Sequence, residues 1–308
     1  MLVNLRVIQA KIEVTYGTDP VPTATDSILV QNFSASFEGA RMYERPVIKA
    51  TLGALAQIYG GSLMSVSFDV ELKGSGTAGT APEIDALLRA AGFAVTNVPA
   101  TSDTYDPAST GIESCTIYFF EDGTRYNLTG CRGSVTGNLV TGQPGILSFS
   151  FTGHFSGPTD VALPSPTYDS TVGPAVLGLS SFAVDSYAAS VANVSFDLGN
   201  EVAMPDDLTE ADGFGEITIT TRKLTGSLDP LNTIIATYDW VNKWKTEAVG
   251  SLTTGVVGGT AGNRWQLTIG QAQYTELGWG DRAGLITREV SFVGTESAGD
   301  DDMQLVFT

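Results

Sequence analysis

Few side chains in this 308-residue chain have the types and spacing that chemistry requires. His154 is the single histidine, and it lies in phase with the serines of an alternating segment, with no acidic or nucleophilic partner in a recognisable motif. One histidine and two cysteines do not supply the usual nitrogen and sulfur ligands of a metal centre. Adjacent carboxylates such as Asp206 and Asp207 are expected by chance among 34 acidic residues. We therefore predict no catalytic, cofactor-binding or metal-binding residues and no enzyme activity.

Two short motifs resemble ligand-binding loops without meeting their requirements. Residues 74–79 are glycine-rich like a phosphate-binding loop, but they lack its Gly-Lys-Ser/Thr ending. Residues 299–302 contain three adjacent carboxylates without the alternating ligand spacing of a calcium loop. We interpret the first motif as a flexible link and the second as a solvated turn.

The two cysteines, Cys115 and Cys131, lie on neighbouring predicted strands over residues 114–120 and 126–135. A disulfide across a hairpin is one possibility, and two reduced thiols in the core are the other. The start of the chain lacks the charged, apolar and small-residue segments of an export signal, which favours the reduced thiols.

Apolar and polar residues alternate with a period of two along several segments, a pattern typical of half-buried strands. The clearest cases are residues 10–16, 66–73 and 147–152. The 35 glycines and the abundant serine, threonine and valine suit many short strands joined by tight turns. The fold class is therefore predicted to be mainly β.

Two segments have apolar residues at helical spacing instead. The first is predicted to begin at Pro82 and to stop at Gly92. The second is predicted to be capped by Asp229 and to begin at Pro230. The apolar stripes are Ile84, Leu87, Leu88 and Ala91 in the first helix and Leu231, Ile234, Ile235 and Tyr238 in the second.

The predicted elements follow the same order in both halves of the chain: a strand, a helix that begins at proline, and strands that end at glycine. The helices begin 148 positions apart, and the strands that end at Gly153 and Gly294 lie 141 positions apart. We interpret this pattern as an internal duplication with short insertions. The predicted units are a first domain over residues 1–157 with an N-terminal arm over about residues 1–35, a Pro- and Gly-rich linker over 158–178, and a second domain over 179–308.

The chain is strongly acidic, with 16 Lys and Arg against 34 Asp and Glu and a net charge of −18. Residues 1–160 contribute −6 and residues 161–308 contribute −12. Without a Lys/Arg cluster the chain is not expected to bind nucleic acid tightly. The acidity serves solubility, or it repels a phosphate polymer that passes along the surface. No run approaches the roughly 18 apolar residues of a membrane span, so no membrane insertion is expected.

Two stretches are similar to the major tail tube proteins of long-tailed, non-contractile bacteriophages, the siphophage tail tube family. Residues 12–30, which include the Pro-rich segment after Tyr16, resemble the opening of those proteins. Residues 70–93 resemble the end of a strand, the loop and the single helix of that family. The resemblance is clear over residues 10–93 and extends less clearly to about residue 170. In the C-terminal half only the pattern of the fold is similar.

The resemblance implies a definite architecture. Family members fold as a small β-sandwich or half-barrel with one helix, and their inner sheets join around a ring that lines a channel. Rings stack through an N-terminal arm and a long loop. Most members carry one such domain and form hexamers. With two tandem domains, each with one short helix, this chain would form a homotrimeric ring with pseudo-sixfold symmetry, and a hexameric ring is the alternative.

The resemblance also implies a structural role in the virion, because stacked rings form the tail tube through which DNA is ejected into the host. The implied partners are other copies of the chain, the tape-measure protein, the tail terminator and the baseplate-proximal tail protein. Genomic DNA would pass through the lumen without tight binding. The protein would be made and assembled in the host bacterial cytoplasm. The sequence does not separate a virus from a prophage-derived particle, a gene transfer particle or a secretion-needle tube.

Two questions stay open at the level of sequence. Residues 39–61 could form the inter-ring loop, a hairpin in the lumen, or an ordinary surface loop. The chain as a whole could instead be a β-sandwich binding module, such as a carbohydrate-binding or adhesive surface protein, with its tryptophans as a sugar platform. Two of these, Trp240 and Trp244, have an i, i+4 spacing that is more typical of a core or an interface. The four tryptophans are Trp240, Trp244, Trp265 and Trp279.

Overall fold

The computed structural model describes residues 5–178 and 182–308. The predicted fold class is confirmed, since strands make up 48% of the structure and helices 5%, in a β-sandwich-like arrangement. The first four residues of the predicted N-terminal arm and residues 179–181, where the second domain was predicted to begin, lie outside the described residues.

The elements are numbered in chain order. The strands are β1 (Arg6–Ile12), β2 (Ser27–Ile28), β3 (Gln31–Glu38), β4 (Met42–Tyr43), β5 (Ile58–Tyr59), β6 (Leu63–Glu71), β7 (Phe93–Val98), β8 (Ser102–Pro107), β9 (Cys115–Glu121), β10 (Thr124–Val140), β11 (Ile146–Asp160), β12 (Ala183–Val184), β13 (Asn193–Asp197), β14 (Glu201–Ala203), β15 (Thr218–Thr221), β16 (Thr225–Leu228), β17 (Val249–Thr253), β18 (Trp265–Arg282), β19 (Leu285–Gly294) and β20 (Gln304–Phe307). The helices are α1 (Asp85–Ala90) and α2 (Trp240–Lys245), and a 3-10 turn covers Ala24–Asp26.

The order of paired strands is the same in the two halves of the chain. In the first half it is β3-β6-β11-β10, and β9 and β1 follow along the lower part of β10. In the second half it is β13-β16-β19-β18, and β17 and β12 follow along β18. All of these pairings are antiparallel. The division into two domains stays a prediction, but the strand order repeats as a duplication requires.

The two halves are joined edge to edge by backbone pairing. The end of β10 pairs with β13, from Thr136 opposite Asp197 to Val140 opposite Asn193. The C-terminal β20 also returns to the first half, where it pairs with β8. Sixteen of the strands in the described residues therefore form one sheet.

The two ends of this sheet can be told apart by their connections. The hairpins between β10 and β11 and between β18 and β19 lie at one end, which we call the upper end. At the opposite, lower end, β3 and β13 finish, and β6 and β16 begin. The segments that connect them, residues 39–62 and 198–224, therefore both emerge at the lower end.

One face of the sheet packs against the core, and both helices lie over it. The core side chains alternate along the strands with polar ones, as the period-two pattern predicted. In α1 the buried side chains are Leu87, Leu88 and Ala90, and Gly92 ends the helix with φ +92°, as predicted. The largest buried side chains are Trp240, Trp265, Tyr105, Tyr118, Phe68, Phe149, Phe151 and Phe292.

The second helix does not lie where the sequence predicted it. It begins after Asp239, whose carboxylate accepts from the Asn242 amide at 2.9 Å, instead of at Pro230. Residues 230–232 use their backbone groups to bond Ser190 and the start of β19, so they cannot form a helical turn. The carboxylate of Asp229 accepts instead from the amides of residues 192 and 193. Tertiary pairing here overrides an apolar pattern at helical spacing.

Two further segments pack against the protein: the Pro-rich part of the predicted N-terminal arm and the predicted flexible link. In the Pro-rich stretch after β1, Asp19 accepts hydrogen bonds from Tyr118 and Asn127, and Pro22 is buried, so this stretch packs on its own half. The glycine-rich residues 74–79 are not a flexible link. The amide of Gly74 donates to the Asn263 side chain at 3.0 Å, and a Cβ at this position would lie 2.1 Å from the Gly262 carbonyl oxygen.

The predicted linker region begins as a strand. β11 continues to Asp160, opposite Thr124. Residues 161–178 then run along the first half without a helix or strand in the described structure, with backbone bonds from Val161 to Gly123 and from Thr167 to Ala24. The role of residues 158–178 as an interdomain linker stays a prediction.

A buried carboxylate fixes the turn after β1. Glu13 is 5% exposed and accepts four hydrogen bonds, from two hydroxyls and two amides. The donors and distances are Ser114 Oγ (2.6 Å), Thr116 Oγ1 (2.6 Å), Gly17 N (2.8 Å) and Gly130 N (2.8 Å). One side chain therefore joins the turn, the start of β9 and the bulge in β10.

An arginine clamp joins the C-terminal turn to the first half. The Arg222 guanidinium binds Asp302 at 3.0 and 3.1 Å, Asp300 at 3.2 Å and Glu296 at 3.2 Å. Asp300 also accepts from Ser109 of the first half. Residues 299–302 are therefore not the solvated turn that the sequence predicted, because two of the three aspartates hold an arginine.

The Glu13 site predicts a large loss of stability on truncation. Glu13→Ala should lower the free energy of unfolding by about 3–5 kcal/mol, because four donors lose their acceptor inside the protein. Chemical denaturation followed by fluorescence measures this change. The exposed Glu247→Ala is the matched control and should change it by less than about 0.5 kcal/mol. A Glu13→Ala protein as stable as the control would contradict the account.

The clamp predicts an acid-dependent contribution. Hydrogen bonds from Ser109 and Arg222 hold the pKa of Asp300 below its ordinary value, so the folded state favours the charged form. Its stabilisation is therefore present above the ordinary aspartate pKa and is lost as the pH falls through the lowered one. Asp300→Asn should lower the melting temperature at pH 7 but not near pH 2. An equal difference at both pH values would show that charge is not the cause.

Candidate functional site

A continuous polar face runs across eight neighbouring strands, on the side of the sheet opposite the core. The strand order is β3-β6-β11-β10-β13-β16-β19-β18, so the face spans both halves. Its side chains are almost all small hydroxyls and amides. They are Ser34, Ser36, Ser65, Ser67, Ser134, Thr136, Asn138, Ser148, Ser150, Thr152, Ser195, Thr225, Ser227 and Ser291.

The strand register aligns these side chains in rows that cross from one half to the other. Residues that are directly opposite on antiparallel strands point to the same face. One row is Asp69, Ser148, Thr136, Asp197 and Thr225. A second row is Asn138, Ser195, Ser227, Ser291 and Glu276. The boundary between the halves leaves no break in the face.

The polar face is shallow, concave and acidic. Between β10 and β18 it forms an open groove of about 690 Å³. Asp197 and Glu276 line this groove, and Lys223 is the only cation among the described residues that line it. Such a surface offers hydroxyls for hydrogen bonding but no positive cluster that could hold phosphates.

An exposed hairpin, residues 39–61, extends from the lower end of the first half. Its strands β4 and β5 pair over only two residues, and residues 42–60 are exposed throughout. A concentration of exposed apolar side chains in one segment is typical of an interaction site in a folded protein. The exposed apolar side chains are Met42, Tyr43, Val47, Ile48, Leu52, Leu55, Ile58 and Tyr59.

The corresponding segment of the second half, residues 198–224, is held against the body instead. Its Phe214 is buried beside Leu63, and the Arg41 guanidinium lies 3.9 Å from the centre of the Phe214 ring. Arg41 also binds Asp206 and the Gly213 carbonyl oxygen. The exposed hairpin is therefore anchored at its base.

His154 and its neighbours complete this anchor. His154 Nδ1 lies 2.7 Å from Asp212 Oδ2, and its Nε2 lies 3.1 Å from the Tyr16 hydroxyl. Because an ionised carboxylate only accepts, Nδ1 carries the proton and Nε2 accepts from Tyr16. The Tyr16 oxygen in turn accepts from the Ile217 amide at 2.7 Å, and burial raises the pKa of this tyrosine. The sequence predicted no acidic partner for His154, because Asp212 is 58 positions away.

Arg132 is a buried cation in the same contact between the first half and residues 212–217. It is 7% exposed, donates to Glu216 and to the Ile217 carbonyl oxygen at 2.7 Å each, and lies over the Tyr16 ring at 5.1 Å. It also donates to the Ile112 carbonyl oxygen at 2.7 Å. These contacts hold residues 212–217 against the first half.

Two clefts at the upper end differ in charge. The first, of about 450 Å³, lies in the first half and contains Glu71, Glu83 and Asp169 around Lys73; we call it the acidic cleft. The second, of about 310 Å³, lies in the second half beside α2 and contains Lys245 and Arg288 with one acid, Asp239; we call it the basic cleft.

The cysteines and tryptophans occupy structural positions. Cys115 and Cys131 are free, buried thiols directly opposite each other on β9 and β10, in agreement with the preferred interpretation. Trp240 and Trp265 are buried, whereas Trp244 and Trp279 are 40% and 71% exposed. The four tryptophans therefore form no common sugar platform.

The described residues contain neither a metal-binding cluster nor a membrane-spanning helix. Residues 5–178 and 182–308 hold no group of three His, Cys, Asp or Glu side chains that could bind a metal ion. Within the same ranges, no helix has the length and apolar character needed to cross a membrane.

Two free strand edges were not visible in the sequence. In the described residues β3 pairs only with β6, and residues 276–282 of β18 pair only with β19. These edges lie at opposite ends of the eight-strand polar face. Unpaired edges of this length are ready to pair with another chain. The period-two pattern shows that a segment is a strand, but it carries no information on how many neighbours the strand has.

Comparison with known proteins agrees with the geometry. The family described as Phage tail tube protein matches residues 4–302, which include both halves and the connection between them. Among curated proteins no match was found. The match extends the resemblance seen in the first half to nearly the whole chain, and a structural family of this kind indicates a non-enzymatic role. The chain therefore belongs to the phage tail tube protein family and is a structural component of the phage tail.

Proposed function

We propose that three copies of the chain close into a ring, that the polar face lines its channel, and that stacked rings form the conduit for DNA ejection in a siphophage tail. The observation that supports this best is the polar face, which is continuous over eight strands and both halves. A monomeric binding module has no need of such a wall with a free strand edge on each side.

The junction between β10 and β13 is a template for ring closure. β3 occupies the place in the first half that β13 occupies in the second, and β18 corresponds to β10. Since every pairing from β3 to β18 is antiparallel, β3 runs in the same direction as β13, and β18 in the same direction as β10. A copy related by rotation therefore presents its β3 antiparallel to the free edge of β18.

The number of copies follows from the duplication. Each chain supplies two four-strand units, so three chains supply the six units of a pseudo-sixfold ring. Each ring then contains three internal junctions between β10 and β13 and three equivalent junctions between chains. Six copies, the alternative, would supply twelve units and a much wider channel.

The proposed lumen repels DNA while remaining wetted. Asp69, Asp197 and Glu276 give the polar face a negative charge, and the hydroxyl groups bind water in place of phosphate. DNA in such a channel is repelled from all sides and slides without tight binding. The chain's net charge of −18 acts in the same direction.

Stacking is assigned to the exposed hairpin at the lower end. Its position beyond the end of the strands favours an inter-ring loop over a hairpin in the lumen, and its exposed apolar side chains argue against an ordinary surface loop. Burial of one leucine or isoleucine contributes roughly 1.5–3 kcal/mol, so three hairpins per ring form a strong contact. The N-terminal residues before β1 are proposed to add to it.

The remaining proposed partners are assigned from the head-to-tail direction of the stacked rings. A head-to-tail stack leaves a different surface free at each end, one for the tail terminator and one for the baseplate-proximal protein. The tape-measure protein would fill the lumen during assembly. Assembly is proposed to take place in the cytoplasm of the host bacterium.

Ring closure is tested by disulfide trapping between chains. Ser36→Cys on β3 is combined in turn with Gly278→Cys, Gly280→Cys and Arg282→Cys on the free edge of β18. One combination should give a covalent ladder of one, two and three chains on denaturing gels, ending at three. A ladder that ends at six would contradict the trimer, and monomers alone in assembled samples would contradict the edge pairing.

The internal junction supplies the matched control. Asn138 and Ser195 are directly opposite each other on β10 and β13, so Asn138→Cys with Ser195→Cys should form a disulfide within one chain. Electron microscopy of the same samples should show rings or tubes with threefold or pseudo-sixfold views.

The lining of the channel is tested by reversing its charge. Ser67 and Thr136 are exposed on the polar face, and lysine at both positions places six added positive charges in each three-copy ring. Tubes of the Ser67→Lys, Thr136→Lys variant should retain DNA at low salt. The affinity should fall about 10³-fold between about 50 and 200 mM salt. Co-sedimentation measures this, with Glu247→Lys as control. Equal DNA retention by variant and control tubes would contradict the lumen assignment.

A further inference from the structure

The acidic cleft contains a buried charge that its own chain only partly compensates. The Glu83 side chain is 9% exposed; its Oε1 lies 3.2 Å from Lys73 Nζ. Both of its carboxylate oxygens are buried, and neither has a hydrogen-bond partner of good geometry among the described residues. Lys73 also donates to the Asp169 carbonyl oxygen at 3.1 Å, and Glu71 and the Asp169 carboxylate add two further acids. The cleft therefore contains three acidic side chains and one lysine.

Burial raises the pKa of Glu83, even though Lys73 beside it acts in the opposite direction. A second cation bound in the cleft would stabilise the charged form. The rim of the cleft is apolar, since Leu29 and Val172 line it and are 49% and 76% exposed. The cleft therefore suits a positively charged side chain flanked by apolar ones.

The exposed hairpin has this composition. Residues 39–61 carry Arg41, Arg45 and Lys49 against the single acid Glu44, in a chain whose net charge is −18. Arg41 is used at the base, so Arg45 and Lys49 remain at the exposed part, and Lys49 directly follows the fully exposed Ile48. This is the one segment of the lower end that is both basic and unanchored in the described structure.

We propose that the acidic cleft receives the basic, apolar tip of the exposed hairpin from a second copy of this chain in the next ring. The inference rests on the proposed stacking of rings and names its receptor. The same two strands carry both parts: β3 and β6 connect to the hairpin at the lower end, and the start of β3 and the end of β6 border the cleft at the upper end. Head-to-tail stacking brings these two ends together.

Electrostatic repulsion by the basic cleft and the number of hairpins per ring both favour the acidic cleft. The basic cleft contains Lys245 and Arg288 and would repel Arg45 and Lys49. The described residues of each chain provide one free hairpin and the acidic cleft, so a ring of three offers three of each. The second-half segment over residues 205–217 is acidic and anchored by Arg132 and His154, so it does not compete.

The test titrates a labelled synthetic peptide of residues 39–61 into the full chain and follows fluorescence anisotropy, so it does not depend on tube formation. The peptide should bind the wild-type chain and bind the Glu71→Lys chain about tenfold more weakly, as expected for the loss of a close charge pair. Glu83→Gln should weaken binding in the same direction. Glu247→Lys, outside the cleft, is the matched control and should bind like wild type.

A charge exchange makes the test specific. A peptide with Lys49→Glu should bind the wild-type chain weakly and recover affinity for the Glu71→Lys chain. In assembled samples, Lys49→Glu with Arg45→Glu should leave rings intact and shorten the tubes. Equal peptide affinity for wild type and Glu71→Lys, or no binding to either, would overturn the cleft assignment. Absence of rings from the wild-type chain, with peptide binding as expected, would contradict the proposed function alone.

Discussion

The antiparallel ladder between β10 and β13 is the contact on which the rest of the structure depends. It places Thr136 opposite Asp197 and Asn138 opposite Ser195, so the polar rows of the first half continue into the second. Backbone hydrogen bonds fix this register, and a shift by one residue would turn the polar side chains of the shifted strand toward the core. The continuity of the polar face follows from this pairing, and the same pairing is the template for the proposed junction between chains.

Acidic side chains have different roles on the polar face and in the rest of the protein. Acids that lie away from the polar face are largely used to hold segments together, as Glu13 holds the turn after β1 and Asp300 holds Arg222. Acids on the face, such as Asp197, remain exposed. The exposed hairpin is the exception to the acidic balance, and its anchoring through Arg41 at the base leaves a basic, apolar tip. This division of charge is the basis of the proposed contact between the hairpin of one ring and the acidic cleft of the next.

Local sequence patterns predicted much of the secondary structure but few of the contacts between distant parts of the chain. Alternation identified β6 and β11, and Pro82 and Gly92 bracketed α1, because these signals depend only on near neighbours. The second helix was misplaced because residues 230–232 pair with β19, a contact between distant parts of the chain. The partner of His154 was missed for the same reason. The polar face could be read strand by strand, but its continuity required the strand order, which no local pattern contains.

The most direct measurement of the central claim is cryo-electron microscopy of the assembled protein, at a resolution that shows strands. The account predicts three chains per ring, with β3 of one chain beside residues 276–282 of the next, and with Ser67, Thr136 and Asp197 facing the channel. A ring in which this face points outward, or in which β3 has no neighbour from another chain, would contradict it.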